Sequence, residues 1–236
     1  MKRIAISQSN YIPWKGYFDL IAGVDEFVLY DDAQYTRRDW RNRNLVKTPS
    51  GLHWLTIPVQ VKGRFHQRIC DTGISEDDWP LRHWRTIELN YARAAHFDRF
   101  APELERLYRE CHETRLSEVN RRFLDWACAT LGIRTRLTWS SDYALTGDRS
   151  ERLLGICRQA GAAMYLSGPA AKDYLDEAKF AAAGVQVAWM DYAGYPPYRQ
   201  LFGEFQHGVS ILDLILNEGP GAPAFMKNVR PDAAPA

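Results

Sequence analysis

The chain has 236 residues, 46% hydrophobic and 25% charged, which is enough apolar material to bury the core of one large domain. Thirty Lys and Arg against 29 Asp and Glu leave a formal net charge of +1, so bulk electrostatics gives no reason to expect nucleic acid or an anionic membrane as a partner. Cys70, Cys111, Cys128 and Cys157 form no C-x-x-C pair, which argues against a zinc site or a disulfide framework and fits a reducing compartment. With no signal-like apolar core after the first charges and no membrane-length apolar run, a cytoplasmic protein is expected.

Residues 3–7 read as a short buried strand, followed by a loop rich in Asn, Pro and Gly. Residues 17–22 read as a short helix and 26–30 as a second strand, closed by Asp31-Asp32. This opening is a βαβ unit, and its crossover implies parallel strands. Residues 33–50 lack periodicity. Residues 43–47 and 52–61 read as the arms of a hairpin around Thr48 to Gly51, with Pro58 confining part of it to an edge or bulge.

From 79 to 131 apolar residues recur at three and four, a helical pattern that Gly132 ends. A strand is predicted at 134–138 and a helix at 150–160. A strand at 164–166 runs into Ser167-Gly168-Pro169, which opens a helix through about 183. A strand at 185–190 and a helix at 208–217 follow. The expected fold is α/β: an open, mainly parallel sheet flanked by helices, with a largely helical middle segment. Residues 1–219 form one domain in this reading, and 220–236 a flexible tail.

In such sheets ligands bind beyond the carboxyl ends of the strands. The residues there are Gln8, Asn10, Tyr11 and Trp14 after the first strand, Asp31 and Asp32 after the second, Ser167 and Gly168 after the strand at 164–166, and Tyr192 after the last. Ser167-Gly168-Pro169 is either a plain helix start or an anion site on free N–H groups, with Lys172 one turn further in. Asp31 and Asp32 are strand terminators, salt-bridge partners, or a general base or magnesium pair. Arg37, Arg38, Arg41, Arg43 and Lys47, opposed by Asp39, are a solvated basic run or part of a site. Arg41-Asn42-Arg43-Asn44 favours the second role, because guanidinium and amide groups suit phosphate and carboxylate. The histidines are scattered, without metal-ligand spacing, and are read as structural or surface groups. No Walker A, G-x-S-x-G or G-x-G-x-x-G motif occurs.

Gln8-Ser9-Asn10-Tyr11-Ile12-Pro13-Trp14-Lys15-Gly16-Tyr17-Phe18 resembles the opening signature of WbqC-like proteins, roughly Gln-Pro-Asn-Tyr-Leu-Pro-Trp-x-Gly-Tyr-Phe. Three further stretches match in order: Phe27 to Tyr35, Trp40 to Asn44 and Ser210 to Asn217. Ser9 departs, standing where the family often has Pro. Ser7 stands where relatives often carry His or Met, so a mechanism resting on a histidine there is not available to this chain. The resemblance implies an association with building O-antigen and other surface polysaccharides, with glycine or acyl transfer to an amino sugar as the suggested chemistry. A weaker likeness is to nucleotidyltransferase (HUP-like) folds, although Trp14-Lys15-Gly16-Tyr17 stands where their two histidines would be.

The expected function is acyl or aminoacyl transfer that forms an amide on an amino sugar, nucleotide-sugar or related small metabolite. Asp31 or Asp32 would be base or magnesium ligand. Gln8, Asn10 and Asn42 would orient polar groups, Tyr11, Trp14 and Tyr192 would stack on a ring, and Arg43, Ser167 and Gly168 would take an anionic end. A non-catalytic nucleotide-sugar-binding module and an ATP-dependent, magnesium-assisted adenylating ligase are the alternatives.

Overall fold

The computed structural model describes residues 1–229. Strands β1 (Arg3–Ser7), β2 (Glu26–Leu29), β5 (Arg136–Trp139), β6 (Met164–Ser167) and β7 (Gln186–Trp189) form a five-stranded sheet in the order β5-β2-β1-β6-β7. Every pairing in it is parallel. The sheet grows from β1 towards β2 and β5, then restarts beside β1 with β6 and β7. The direction of winding therefore reverses between β1 and β6, and in a doubly wound sheet that reversal opens a crevice at the carboxyl ends of the strands. The order is compatible with a HUP-like fold.

Alternation along the strands divides the core between the two faces. Ala5, Phe27, Leu29 and Leu166 point into the larger core, with α1 (Lys15–Ala22) and α7 (Ile211–Glu218). The middle helices α2 (Trp79–Tyr91), α3 (Phe97–Arg109) and α4 (Leu116–Thr130) extend this core. Ile4, Ile6, Val28 and Tyr165 point the other way, onto α5 (Arg149–Gln159) and α6 (Glu177–Ala182). Because both faces are covered, β2 is buried at all four positions and reads as a continuous apolar run after Glu26.

The hairpin consists of β3 (Arg43–Thr48) and β4 (Gly51–Thr56), paired from Arg43–Thr56 to Thr48–Gly51. Gly51 has φ of 108°, which a residue with a Cβ would resist. The second arm ends before Pro58, which has no N–H to continue the ladder.

Three sequence expectations change. The helix expected from Ser167 to 183 is two pieces: a five-residue 3-10 turn, Pro169–Asp173, and then α6, restarted by Asp176, whose carboxylate accepts the Lys179 N–H at 3.2 Å. The last helix starts at Ile211, with Ser210 as its cap. Residues 220–229, expected within a flexible tail, are packed: Gly219–Phe225 is a 3-10 turn, Met226 and Val229 are buried, and the Lys227 and Asn228 N–H groups donate to Asp19. The rest of that tail, 230–236, lies outside the described residues.

Residues 190–210 carry neither helix nor strand. Segments that long without regular structure are uncommon inside a domain and are either functional or linkers. Among the described residues, no helix is long and apolar enough to cross a membrane.

Candidate functional site

Three of the loops that leave the sheet meet in one cleft of about 310 Å³. The β1–α1 loop supplies Asn10, Pro13 and Trp14, the segment after β2 supplies Trp40 and Asn44, and the 190–210 segment supplies His207 and Gly208. Main-chain bonds fix the three against one another. Tyr11 N–H donates to Trp40 O at 3.1 Å, Ile211 N–H to Pro13 O at 2.8 Å, and Ser210 N–H to Leu45 O at 2.9 Å. Asn44 Nδ2 donates to Tyr11 O at 3.1 Å, while its Oδ1 accepts from Leu45 N–H. Ile12 is held at φ of 36°, an unusual strain for a β-branched residue, in the bend that presents Pro13 and Trp14.

Trp14 packs against Tyr192 at 5.3 Å and Tyr195 at 5.7 Å between ring centroids. Arg41 donates to Asn10 Oδ1 and fixes that amide at the cleft wall. Asn120 Nδ2 holds the Arg41 carbonyl at 2.9 Å. Arg41 Nε, Asn42 Oδ1 and Arg43 Nε are buried without a hydrogen-bond partner, an uncommon concentration of unmet polar atoms in three consecutive residues.

His207 is the titratable side chain lining the cleft. Desolvation first, and the neighbouring Lys15 charge second, hold its pKa below the usual range, which leaves the ring neutral near pH 7. Lys15 is 2% exposed. Its ammonium donates to Pro196 O at 3.1 Å and sits 5.1 to 5.8 Å from the rings of Tyr195, Tyr198 and Phe205. Burial lowers its pKa to about 8, against the weaker opposing pull of Asp19.

Several predicted site residues lie elsewhere. Asp31 is in the interior, where Ser9 N–H and Oγ and Ser117 Oγ all donate to its carboxylate. Burial raises its pKa despite those three donors. Asp32 is bound by Arg68 Nη1 at 2.8 Å and by Ser140 Oγ at 2.7 Å. The two carboxylates thus have separate partners, and the pair does not fit a shared magnesium ion. Among the described residues, no group of three or more His, Cys, Asp and Glu could hold a metal ion.

Tyr11 is fully buried, its hydroxyl shared with His83 Nδ1 at 2.9 Å and Tyr108 at 2.7 Å, so it cannot stack on a ligand. Gln8 offers its main-chain carbonyl to Tyr17. Asn42 is buried and donates to Ile57 O. Ser167 is buried, and its hydroxyl turns to Tyr165. Gly168 precedes a 3-10 turn rather than an α-helix, which removes the expected helix-dipole anion site there. Lys172 lies over the Trp189 ring at 5.4 Å. The structure therefore brings Asn10, Trp14 and Asn44 together in the cleft, with Arg41 and Tyr192 directly behind them.

Two lining residues escaped the sequence reading. Trp40 stood in a noted stretch but was not singled out. His207 falls among the scattered histidines read as structural or surface groups. The available signal was its place at the end of an aperiodic segment, directly before Gly208 and the Ser210 cap.

The family model for WbqC-like proteins matches residues 8–224. The chain is 55% identical over 230 residues to "Uncharacterized protein Rv1507c" of Mycobacterium tuberculosis (strain ATCC 25618 / H37Rv), and this similarity covers 98% of the chain and all of that relative. No solved structure matches it. The signature around the cleft loop thus lies within a match that runs almost end to end, and the chain belongs to the WbqC-like protein family.

Proposed function

We propose that this protein is a biosynthetic enzyme that transfers an acyl or aminoacyl group to the amine of an amino sugar, nucleotide-sugar or related small metabolite. The observation that carries the reading is the cleft between the β1–α1 loop, the Trp40–Asn44 stretch and the end of the 190–210 segment, with indole walls and amide groups. Its volume suits one ring. Trp14 and Trp40 offer flat apolar surface to a sugar or base, and Asn10 and Asn44 offer amides for orienting it. A neutral His207 would take the proton that the acceptor amine loses as the new C–N bond forms, and would return it to the donor's leaving group as the acyl carbon's bond to that group breaks.

The test offers amino sugars and nucleotide amino sugars with isotope-labelled acyl donors, and with glycine plus ATP, and follows amide product and pyrophosphate. His207→Gln should keep ligand binding and lose turnover, and Trp14→Ala should lose binding. Turnover unchanged in both variants would end the proposal. One observation favours a binding module instead: Asp31 and Asp32 are already engaged by protein donors. That reading expects calorimetric binding of a nucleotide-sugar with no product from any donor.

A further inference from the structure

Trp40 belongs to two structures at once. It lines the cleft, and it packs on Trp54 of β4 with ring centroids 5.3 Å apart. The two indoles are 42% and 38% exposed. A lone exposed tryptophan needs no explanation; a packed pair running outward from a cleft wall does. The Arg43 guanidinium lies 4.1 Å over the Trp54 ring. Stacking fixes the plane of the fork and leaves its edge to donate. Arg43 Nη2 reaches only the Arg38 carbonyl, and Nε has no partner.

The surrounding charge is unbalanced. Asp39, the acid of the run, accepts from Thr36 Oγ1 and Trp40 N–H and lies 3.7 Å from Arg41. Among the described residues, no carboxylate is within ion-pair distance of Arg37, Arg38 or Arg43. Arg38 is held at φ of 57°, a left-handed conformation that places its carbonyl for Arg43. The result is a guanidinium held on an aromatic platform, with Asp39 acting on it only from beyond ion-pair distance, next in sequence to the cleft residue Asn44.

We propose that Arg43, with Trp54 beneath it and Trp40 as the bridge, is a subsite for a phosphate or diphosphate ester carried by the ring that the cleft holds. Nε is buried and one Nη2 hydrogen goes to the Arg38 carbonyl, so the Nη1/Nη2 end of the fixed plane is the edge that would meet phosphate oxygens. The proposal rests on the cleft reading for the ring, but the phosphate end can be tested by itself.

Calorimetry at low salt would compare glucosamine, glucosamine 1-phosphate and inorganic pyrophosphate on the wild type, Arg43→Gln, Arg43→Lys, Trp54→Ala and Trp14→Ala, with thermal unfolding as the check on folding. The wild type should bind the phosphate ester at least tenfold more tightly than the free sugar. Arg43→Gln should bring the two within about threefold, and Arg43→Lys should recover only part of the difference because it restores charge without the fork. Pyrophosphate should bind the wild type and Trp14→Ala alike, and fail on Arg43→Gln. Measurable and equal wild-type binding of sugar and ester, no wild-type binding of pyrophosphate, or full pyrophosphate binding by folded Arg43→Gln, overturns the subsite. If pyrophosphate behaves as expected while neither sugar binds, the subsite stands and the ring assignment of the cleft falls.

Discussion

Ser9 grips both oxygens of Asp31: its main-chain N–H donates to Oδ1 at 2.8 Å and its hydroxyl to Oδ2 at 2.7 Å. Asn120 in turn donates to Ser9 Oγ and to the Arg41 carbonyl, which ties the β1–α1 loop, β2, α4 and the Arg41 segment into one buried node. Ser9 is where the chain departs from the Pro common in its family, and Pro can supply neither donor. Ser9→Ala, which removes one donor from a buried carboxylate, should destabilise by about 2 kcal/mol, and Ser9→Pro, which removes both, by roughly 4 kcal/mol. Urea midpoints would decide, and a Ser9→Pro variant as stable as Ser9→Ala would refute the role given to this node.

Gly16 exists in this helix to make room for Trp14. A Cβ at position 16 would fall 2.3 Å from Trp14 Cζ2, although the residue does not lie in the left-handed region. Gly16→Ala should therefore improve helix propensity yet push the indole from its place on Tyr192. The expected outcome is at least a tenfold loss of ligand affinity with an unfolding midpoint within a few degrees of wild type. Unchanged affinity would mean that Trp14 is not part of the binding surface.

The parallel sheet was legible because buried strands and Gly-capped helices announce themselves locally, as at residues 26–30 and at Gly132. The site was legible only in part. Reading carboxylates as chemistry pointed to Asp31, but sequence alone cannot show that Ser9 and Ser117, 22 and 86 residues away, saturate it. Tyr11 looked like a stacking group, and only the long-range approach of His83 and Tyr108 places it inside. His207 was hidden for the opposite reason: an aperiodic segment gives no pattern from which to place a side chain. Ser167-Gly168-Pro169 carried a sound helix-start signal, but Asp176 supplies the stronger cap and the α-helix begins there.

His83 should make the fold acid-sensitive. Its Nε2 lies 3.2 Å from Thr56 O, which can only accept, so Nε2 carries the hydrogen and Nδ1 accepts from Tyr11. Desolvation, the largest cause, lowers the His83 pKa to about 3. In the unfolded chain the ring titrates near 6.5, so between those values the unfolded state binds the extra proton. Stability is then complete above about pH 6.5 and falls as pH drops towards 3, by up to about 1.4 kcal/mol per pH unit from this group. In His83→Gln, unfolding free energy should lose that slope relative to wild type. A slope identical in the two proteins would show that His83 is charged in the native state.

Lys15 anchors the 190–210 segment, whose end lines the cleft, without an ion pair. Its ammonium is enclosed by Tyr195, Tyr198 and Phe205 and bonded to Pro196 O, and all four belong to that segment. With a folded pKa lowered to about 8 and an unfolded value near 10.5, the folded state binds fewer protons across that interval. This contribution to stability therefore rises as pH increases from 8 to 10.5. Lys15→Met keeps much of the volume and removes the buried charge, so it should be as stable as wild type or more so at pH 7 and should lack the alkaline rise. It should also loosen the segment, because the cation–π contacts and the bond to Pro196 O are gone. Amide exchange at 194–208 would then quicken at least severalfold while α7, which is anchored through Ser210 and the Pro13 carbonyl, stays protected. Exchange unchanged in that segment would mean that Lys15 is buried beneath it without holding it down.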